Sequence, residues 1–389
     1  MSIYRHMNGR IEERASRSGR PLKIAQLAPL YESVPPKLYG GTERVVSYLT
    51  EALLARGHQV TLFASGDSTC RAPLHPGWPT ALRLDGLDRL GPSYQLRMLS
   101  DVYERAADFD IIHSHLDYWS SPFSRLVSTP TISTMHGRLD LPELYPIYQY
   151  YRDVPVVSIS DAQRCDLPEL NWIGTVHHGL PANLLRFSPA PGRYLAFLGR
   201  ICPEKRPDLA IEVARRVGVP LKLAAKVDNI DRAYFDGVIK PMLSPPDIEY
   251  IGEINENEKS EFLGGALALL FTIDWPEPFG LVMIESLACG TPVIARPCGS
   301  VHEIIRNGVT GFVTPAVDDL AACVLKAERL SRDDCRREFE TRFTAETMAC
   351  NYESLYCGLL AEGSLPGESF PDDRLRSVAA PPALSATPK

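Results

Sequence analysis

The 389-residue sequence lacks an excess of positive charge, paired cysteines and long hydrophobic runs. Its formal net charge of −7 provides no overall positive field for a nucleic-acid backbone, so nucleic acid is not expected as a partner. The nine cysteines include no C-x-x-C pair, which indicates reduced thiols rather than a disulfide framework. No apolar run approaches the ~18 residues of a membrane-spanning helix, and residues 1–20 lack the apolar segment of a secretory signal. These absences predict a cytoplasmic protein.

The spacing of the glycines excludes two familiar phosphate-binding loops. No two of the 27 glycines stand two residues apart, so the G-x-G-x-x-G fingerprint of dinucleotide-binding domains is absent. A G-x-x-x-x-G-K loop is absent as well. Any phosphate group that this chain binds must therefore be held by another arrangement of residues.

The apolar residues that are present alternate between short runs and longer amphipathic segments from residue 21 onward. This alternation is typical of strands and crossover helices in a parallel sheet, and it occurs twice along the chain. The sequence therefore predicts an α/β fold of two tandem, doubly wound domains whose ligands bind beyond the carboxyl ends of the strands. The predicted organisation is a flexible extension at 1–20, a first domain at 21–185, a second domain at 190–344, an amphipathic helix at 345–360 and a disordered tail at 364–389.

A basic loop follows the first predicted strand of the second domain. It comes directly after the apolar run 195–198 and carries Arg200 and Lys205, five residues apart. Arginine offers a planar fork and lysine a compact charge, so the two side chains together can bind a diphosphate and neutralise it as a leaving group without a metal ion. The alternative interpretation is a solvated basic loop.

A second segment combines the start of a predicted helix with two carboxylates. Gly280 and Leu281 fall at the helix N-terminus, where free backbone N–H groups suit an anionic oxygen. Glu285 lies about one turn further along an otherwise apolar helix, so its charge needs a partner such as a sugar diol. Glu277 precedes the helix, where its carboxylate can accept hydrogen bonds from sugar hydroxyls. The alternatives are a salt-bridged Glu285 and a Glu277 on a surface turn.

These segments carry a family resemblance. The E-x7-E element of Glu277 and Glu285, the G-R-x4-K loop at 199–205 and the run at 290–295 resemble the GT-B, family 4 type of retaining glycosyltransferase, also called glycosyl transferases group 1. The resemblance spans residues 22–360 and implies two Rossmann-like domains separated by a cleft. It includes the Gly40-Gly41 loop, His113-Ser114-His115 and the run at 307–312.

The resemblance implies roles for side chains of the second domain. Arg200 and Lys205 are implied to bind the diphosphate of a nucleotide-sugar donor. Glu277 is implied to position the donor sugar, and Glu285 to hold the ribose hydroxyls.

The resemblance also implies roles for the backbone of this domain. Amides near Gly280 and Leu281 are implied to contact phosphate. The nucleotide base is implied to meet the chain between Gly252 and Ile254.

The first domain is implied to contribute a glycine loop and a histidine. Gly40 and Gly41 are implied to approach the phosphate and sugar as the cleft closes, because glycine permits such an approach. His136 is implied to lie beside the transferred sugar, and its alternative is a buried structural histidine. His113 and His115 end another strand, where ligand and structural roles both stay open.

The implied activity is transfer of a sugar from a nucleotide diphosphate donor to an acceptor that the sequence does not identify. UDP-glucose is favoured as the donor only because it is common. Retention of anomeric configuration is carried over by analogy, since no carboxylate here can be named as a covalent nucleophile. The alternatives are a sugar-nucleotide epimerase of the same fold and a non-catalytic sugar-nucleotide-binding protein. No cofactor is expected besides the nucleotide-sugar co-substrate.

No metal site is expected either. Asp108-Phe109-Asp110 matches a D-x-D metal motif, but it precedes the strand at 111–114 and so lies at the edge of the sheet opposite the ligands. His177-His178 is interpreted as a strand-to-turn feature. The tyrosines at 145, 148, 150 and 151 are expected to pack, and the alternatives are an acceptor cleft and peripheral contact with the inner face of a membrane.

Overall fold

The computed structural model describes residues 20–37, 40–190 and 192–362. The predicted N-terminal extension, apart from Arg20, and the predicted tail at 364–389 lie outside the described residues. Two parallel sheets organise the described chain, and we call the part of the chain around each sheet a lobe. The predicted domain limits at residues 185 and 190 stay a prediction.

The first lobe is built on a seven-stranded sheet in which every neighbouring pair of strands is parallel. Its strand order is β3-β2-β1-β4-β5-β6-β7, so the chain winds outward in one direction from β1 and in the other from β4. The strands are β1 Lys23–Leu27, β2 Gln59–Ser65, β3 Leu74–Trp78, β4 Ile111–Ser114, β5 Thr131–Thr134, β6 Val156–Ser158 and β7 Trp172–Thr175.

The second lobe repeats this topology with six parallel strands in the order β10-β9-β8-β11-β12-β13. Both sheets therefore have the doubly wound, Rossmann-like arrangement, and the predicted fold class is confirmed. The strands are β8 Tyr194–Arg200, β9 Leu221–Lys226, β10 Ile248–Gly252, β11 Ala266–Phe271, β12 Val293–Ala295 and β13 Gly311–Val313.

Helices cover the sheets, and eight α-helices among the described residues have eight or more residues. They are α1 Gly41–Ala55, α2 Gly91–Glu104, α3 Pro207–Val217, α4 Glu256–Gly264, α5 Leu281–Ala288, α6 Val317–Ala327, α7 Arg332–Arg342 and α8 Ala345–Glu362. Shorter α-helical segments are Ser121–Ser124, Tyr145–Tyr150, Arg232–Tyr234, Lys240–Met242 and Val301–Ile304.

The last helix, α8, returns to the first lobe after the second sheet is complete. Its Tyr352 hydroxyl lies 2.9 Å from Thr134 Oγ1, and its Tyr356 hydroxyl lies 2.7 Å from His113 Nδ1. Both tyrosine rings are fully buried. Helix α8 is therefore part of the core of the first lobe.

A highly charged helix, α7, holds the segment that joins the two lobes. Arg332 is buried although it carries a charge, and its guanidinium is surrounded by acceptors from several parts of the second lobe. Burial of such a charge is tolerable only because its N–H groups are hydrogen-bonded. The acceptors are the carbonyl oxygens of Ser188, Gly264, Ala266 and Cys289 and the hydroxyl of Thr291.

Replacing Arg332 with methionine should lower the free energy of unfolding by about 3 kcal/mol or more, because several buried acceptors would lose their donor. Chemical denaturation followed by circular dichroism would measure the change. Arg337→Met is the matched control, since Arg337 lies on the same helix, is mostly exposed and pairs with Asp334. Equal stabilities of the two variants would contradict the structural role of Arg332.

Candidate active site

A cleft of about 900 Å³ lies between the lobes, at the carboxyl ends of the central strands. In each sheet the chain reverses its winding direction between two neighbouring strands, β1 and β4 in the first lobe and β8 and β11 in the second. Such switch points are where doubly wound sheets bind ligands. Residues that follow these strands from both lobes line the cleft.

Arg200 stands at the last position of β8 and its side chain lines the cleft. Three carboxylates surround its guanidinium: Glu204 at 3.6 Å, Asp228 at 3.8 Å and Asp231 at 3.4 Å. These carboxylates hold the guanidinium at the cleft, and a planar guanidinium is suited to bidentate contact with an anion such as a phosphate group.

Lys205 forms an ion pair with Glu277 in the cleft, which joins the two predicted segments directly. The lysine Nζ also lies 5.0 Å from the centre of the Trp275 ring, within the range of a cation–π contact. A backbone hydrogen bond also holds Glu277 in place, since Ser300 N donates to Glu277 O over 3.1 Å. An ideal Cβ at Gly299 would lie 2.2 Å from that same oxygen, so only glycine fits there.

The first turn of α5 lies at the cleft, which Leu281 and Val282 line. Gly280 precedes the helix with a φ of 81°, in the left-handed region, and lines the cleft together with Leu281. A side chain at Gly280 would be strained by this φ, and its Cβ would also lie 2.9 Å from Met283 Cε. This helix start can therefore receive an anionic oxygen, as the sequence predicts.

Glu285 lies on α5 and is buried, and Lys259 Nζ on α4 supports it at 2.6 Å from Oε1. Lys259 also lies 3.7 Å from Glu256, which in turn forms an ion pair with Arg44 of the first lobe. The Tyr48 hydroxyl, also from the first lobe, lies 3.4 Å from Glu256. A row of alternating charges thus connects Glu285 to helix α1 across the cleft.

The glycine loop of the first lobe reaches the second lobe at the start of α5. An ideal Cβ at Gly41 would lie 3.9 Å from Leu281 Cδ1, so the two predicted donor-binding segments are in van der Waals reach. Gly40 lines the cleft beside it. Within the first turn of α1, burial raises the pKa of the Glu43 carboxyl to about 7.

His136 follows β5 and lines the cleft. Its Nε2 lies 2.7 Å from Nδ1 of His115, which follows β4. Its ring stacks on that of His178 with the ring centres 5.2 Å apart. Burial lowers the pKa of His136 to about 3, and burial holds the pKa values of His115 and His178 well below the usual range for histidine. The cluster is therefore neutral at physiological pH.

The structure brings nearly all of the predicted site residues to this one cleft, and Gly252 is the exception. Gly252 ends β10 without lining the cleft, whereas Ile254 two residues later does line it. The roles of these residues stay predictions. The predicted residues that line the cleft are Gly40, Gly41, His136, Arg200, Lys205, Ile254, Glu277, Gly280, Leu281 and Glu285.

Sequence reasoning missed Asp117, which lines the same cleft two residues after His115. Its φ of 48° is in the left-handed region, which is uncommon for a residue other than glycine. Its Oδ1 is buried and has no hydrogen-bond partner, and burial raises the pKa of the carboxyl to about 6. Asp117 follows the central strand β4, and this position in the sequence was the signal that could have identified it. Lys259 and Trp275 were also missed, and nothing local in the sequence singles them out.

The alternatives left open by the sequence are resolved in part. His113 is enclosed between Tyr356 and Thr134 and is structural, whereas His115 touches the cleft. Tyr148 is buried and Tyr150 is mostly exposed.

The D-x-D motif has its own local partners. The Asp110 carboxylate accepts hydrogen bonds from the Arg20 side chain and from the backbone N–H of Lys23. Asp108 forms an ion pair with Arg105. Within the ranges that the structure describes, no group of three or more His, Cys, Asp or Glu residues is arranged to hold a metal ion. None of the described helices has the length and apolar character needed to cross a membrane.

Comparison with known proteins agrees with this geometry. A phosphatidyl-myo-inositol mannosyltransferase of Mycobacterium leprae is 24% identical over 351 residues, covering 82% of this chain and 89% of the relative. Sucrose-phosphate synthase from Thermosynechococcus elongatus has a similar fold, with a TM-score of 0.71, 18% identity and coverage of 88% of this chain and 100% of that chain. Anabaena HepE in complex with UDP and glucose also has a similar fold, with a TM-score of 0.66 and 17% identity. The match covers 85% of this chain and 98% of that chain.

Two family models match successive parts of the chain. The model described as "Glycosyltransferase Family 4" matches residues 39–167, and the model described as "Glycosyl transferases group 1" matches residues 187–346. The first match covers most of the first lobe, and the second covers the second sheet with its helices. The chain therefore belongs to the family 4, group 1 glycosyltransferases.

Proposed function

We propose that this glycosyltransferase takes its sugar from a nucleoside diphosphate donor, UDP-glucose or a close relative, and transfers it with retention of anomeric configuration. The observation that carries the proposal is the convergence of four side chains on one cleft. Arg200 and Lys205 supply positive charge near the amides of α5, and Glu277 and Glu285 stand on either side. A diphosphate fits between the cations, with one sugar at each end.

The ion pair of Lys205 with Glu277 suggests how donor binding prepares the reaction. When a β-phosphate oxygen takes the place of Glu277 at the lysine, the carboxylate becomes available to hydroxyls of the donor sugar. During transfer the bond between the anomeric carbon and the β-phosphate oxygen breaks, and Arg200 and Lys205 stabilise the charge that develops on the phosphate. The acceptor oxygen bonds to the anomeric carbon, and its proton passes to the departing phosphate.

A uridine nucleotide and glucose are supported as the donor components by the complex of Anabaena HepE, whose fold this chain shares. The acceptor enters from the first lobe, where Asp117 offers a buried carboxylate oxygen for a hydroxyl group. Thermal-shift screening of nucleotide sugars would identify the donor. Mass spectrometry with candidate acceptors would then distinguish a glycosylated product from an isomerised sugar or from no reaction.

Arg200→Ala and Lys205→Ala should each reduce turnover at saturating donor by ~10²-fold or more, the scale expected for loss of a preorganised electrostatic group. Initial rates of UDP release from UDP-glucose would measure the loss. Arg216→Ala is the control, because Arg216 lies on α3 outside the cleft and pairs with Glu212. Near wild-type turnover in both cleft variants would refute the diphosphate clamp.

The two glutamates should separate binding from catalysis. Glu285→Ala should weaken UDP affinity about tenfold, because the ribose loses its charged acceptor, whereas Glu277→Ala should chiefly lower kcat. Calorimetry with UDP and steady-state kinetics would report the two effects. Unchanged UDP affinity in the Glu285 variant counts against a ribose contact.

Turnover should persist after dialysis against EDTA, because Arg200, Lys205 and the N-terminus of α5 provide the positive charge that a metal ion would otherwise supply. The rate before and after chelation is the measurement, with added Mg²⁺ or Mn²⁺ as the reference. Complete loss of activity with EDTA and its restoration by a divalent cation would overturn this expectation.

A further inference from the structure

A chain of three hydrogen-bonded polar side chains runs from the core of the first lobe to the cleft. Gln26 Nε2 on β1 lies 2.8 Å from His115 Nε2, and His115 Nδ1 lies 2.7 Å from His136 Nε2. Gln26 and His115 are almost completely shielded from solvent, and the His136 ring lines the cleft. The chain crosses three neighbouring strands of the sheet, because β1 pairs with β4 and β4 with β5.

Each imidazole in this chain is neutral, since burial keeps the pKa of His115 well below its usual range and that of His136 at about 3. A neutral imidazole has one protonated nitrogen, which donates, and one bare nitrogen, which accepts. The tautomer of His115 therefore determines the tautomer of His136.

The side-chain amide of Gln26 determines which atom donates in each hydrogen bond of this series. Its nitrogen faces His115 Nε2 and can only donate, so that nitrogen of His115 is bare and its Nδ1 carries the proton. His115 Nδ1 then donates to His136 Nε2, which leaves the proton of His136 on Nδ1. In this orientation the unpartnered buried atom is the Gln26 carbonyl oxygen, and an orphaned carbonyl is tolerated better than an orphaned N–H group.

We propose that Gln26 and His115 are positioning residues that hold His136 in the Nδ1–H tautomer, so that His136 meets the donor sugar as a hydrogen-bond donor. In this tautomer the one bare nitrogen, Nε2, accepts a hydrogen bond from His115, and His136 therefore does not act as a general base. The contact with the sugar rests on the proposed function, whereas the tautomer does not.

A second polar network beside the chain provides a matched control. His113 is also buried and neutral, but its ring nitrogens bond to Tyr356 and Thr134 and not to His115 or His136. Thr134→Val removes one buried hydroxyl from this network and leaves the chain from Gln26 intact. It perturbs the same sheet as Gln26→Met and is expected to leave the tautomer of His136 unchanged.

The tautomer can be read in the wild-type protein without any ligand. Ring-¹⁵N-labelled histidine gives separate NMR signals for protonated and bare ring nitrogens, and a His136→Gln variant assigns the signals of His136. The expected result is a proton on Nδ1 and a bare Nε2. A proton on Nε2, or a mixture of the two forms, would overturn the proposal even if the protein transfers sugar as proposed.

Gln26→Met tests the role of the amide. It should leave His136 in a mixture of tautomers, because methionine cannot donate, while Thr134→Val should keep the single Nδ1–H form. Calorimetry should show unchanged affinity for UDP in Gln26→Met and an affinity for UDP-glucose that falls in proportion to the lost fraction of the Nδ1–H form, about twofold for an even mixture. An unchanged tautomer in a folded Gln26→Met protein would contradict the role of Gln26. Equal UDP-glucose affinity despite a changed tautomer would contradict the contact with the sugar.

Discussion

The ion pair between Lys205 and Glu277 is the interaction on which the arrangement of the cleft depends. Charges that are partly removed from water need partners, and two lysines of this cleft each pair with a glutamate. Lys205 holds Glu277, and Lys259 holds Glu285. The acidic side chains are therefore held in place without a ligand. Under the proposed function, a diphosphate would bind by exchanging one anionic partner of the lysine for another rather than by ordering loose side chains.

The geometry of the two sheets explains why the site needs both lobes. Each switch point contributes only a few residues to the cleft. The full set of lining residues is present because the switch points of the two lobes face each other. Gly41 approaches Leu281 from the opposite lobe, and Arg44 pairs with Glu256. The final helix returns to the first lobe, where the Tyr352 hydroxyl bonds to Thr134 on the strand that precedes His136. The second half of the chain thus also supports the histidine of the first half.

The sequence predicted those parts of the fold and site that have a local signal. Alternating apolar runs predicted two doubly wound sheets, and motifs at strand and helix ends placed Arg200, Lys205, Glu277 and Glu285 in one cleft. The edge strands β3 and β13 and the charged helix α7 were not predicted, because their apolar periodicity is weak and tertiary hydrogen bonds hold them instead. The pairing of Lys259 with Glu285 could not be predicted either. The two residues lie on different helices, and only the tertiary packing of those helices brings them together.

The central claim is that the donor diphosphate binds between the two cations and the start of α5. A crystal structure of the protein with UDP-glucose tests it most directly. We expect the β-phosphate oxygens within hydrogen-bonding distance of Arg200, Lys205 and the amides that begin α5, with Glu277 turned from the lysine to the sugar. A diphosphate bound elsewhere, with the pair of Lys205 and Glu277 intact, would contradict the account.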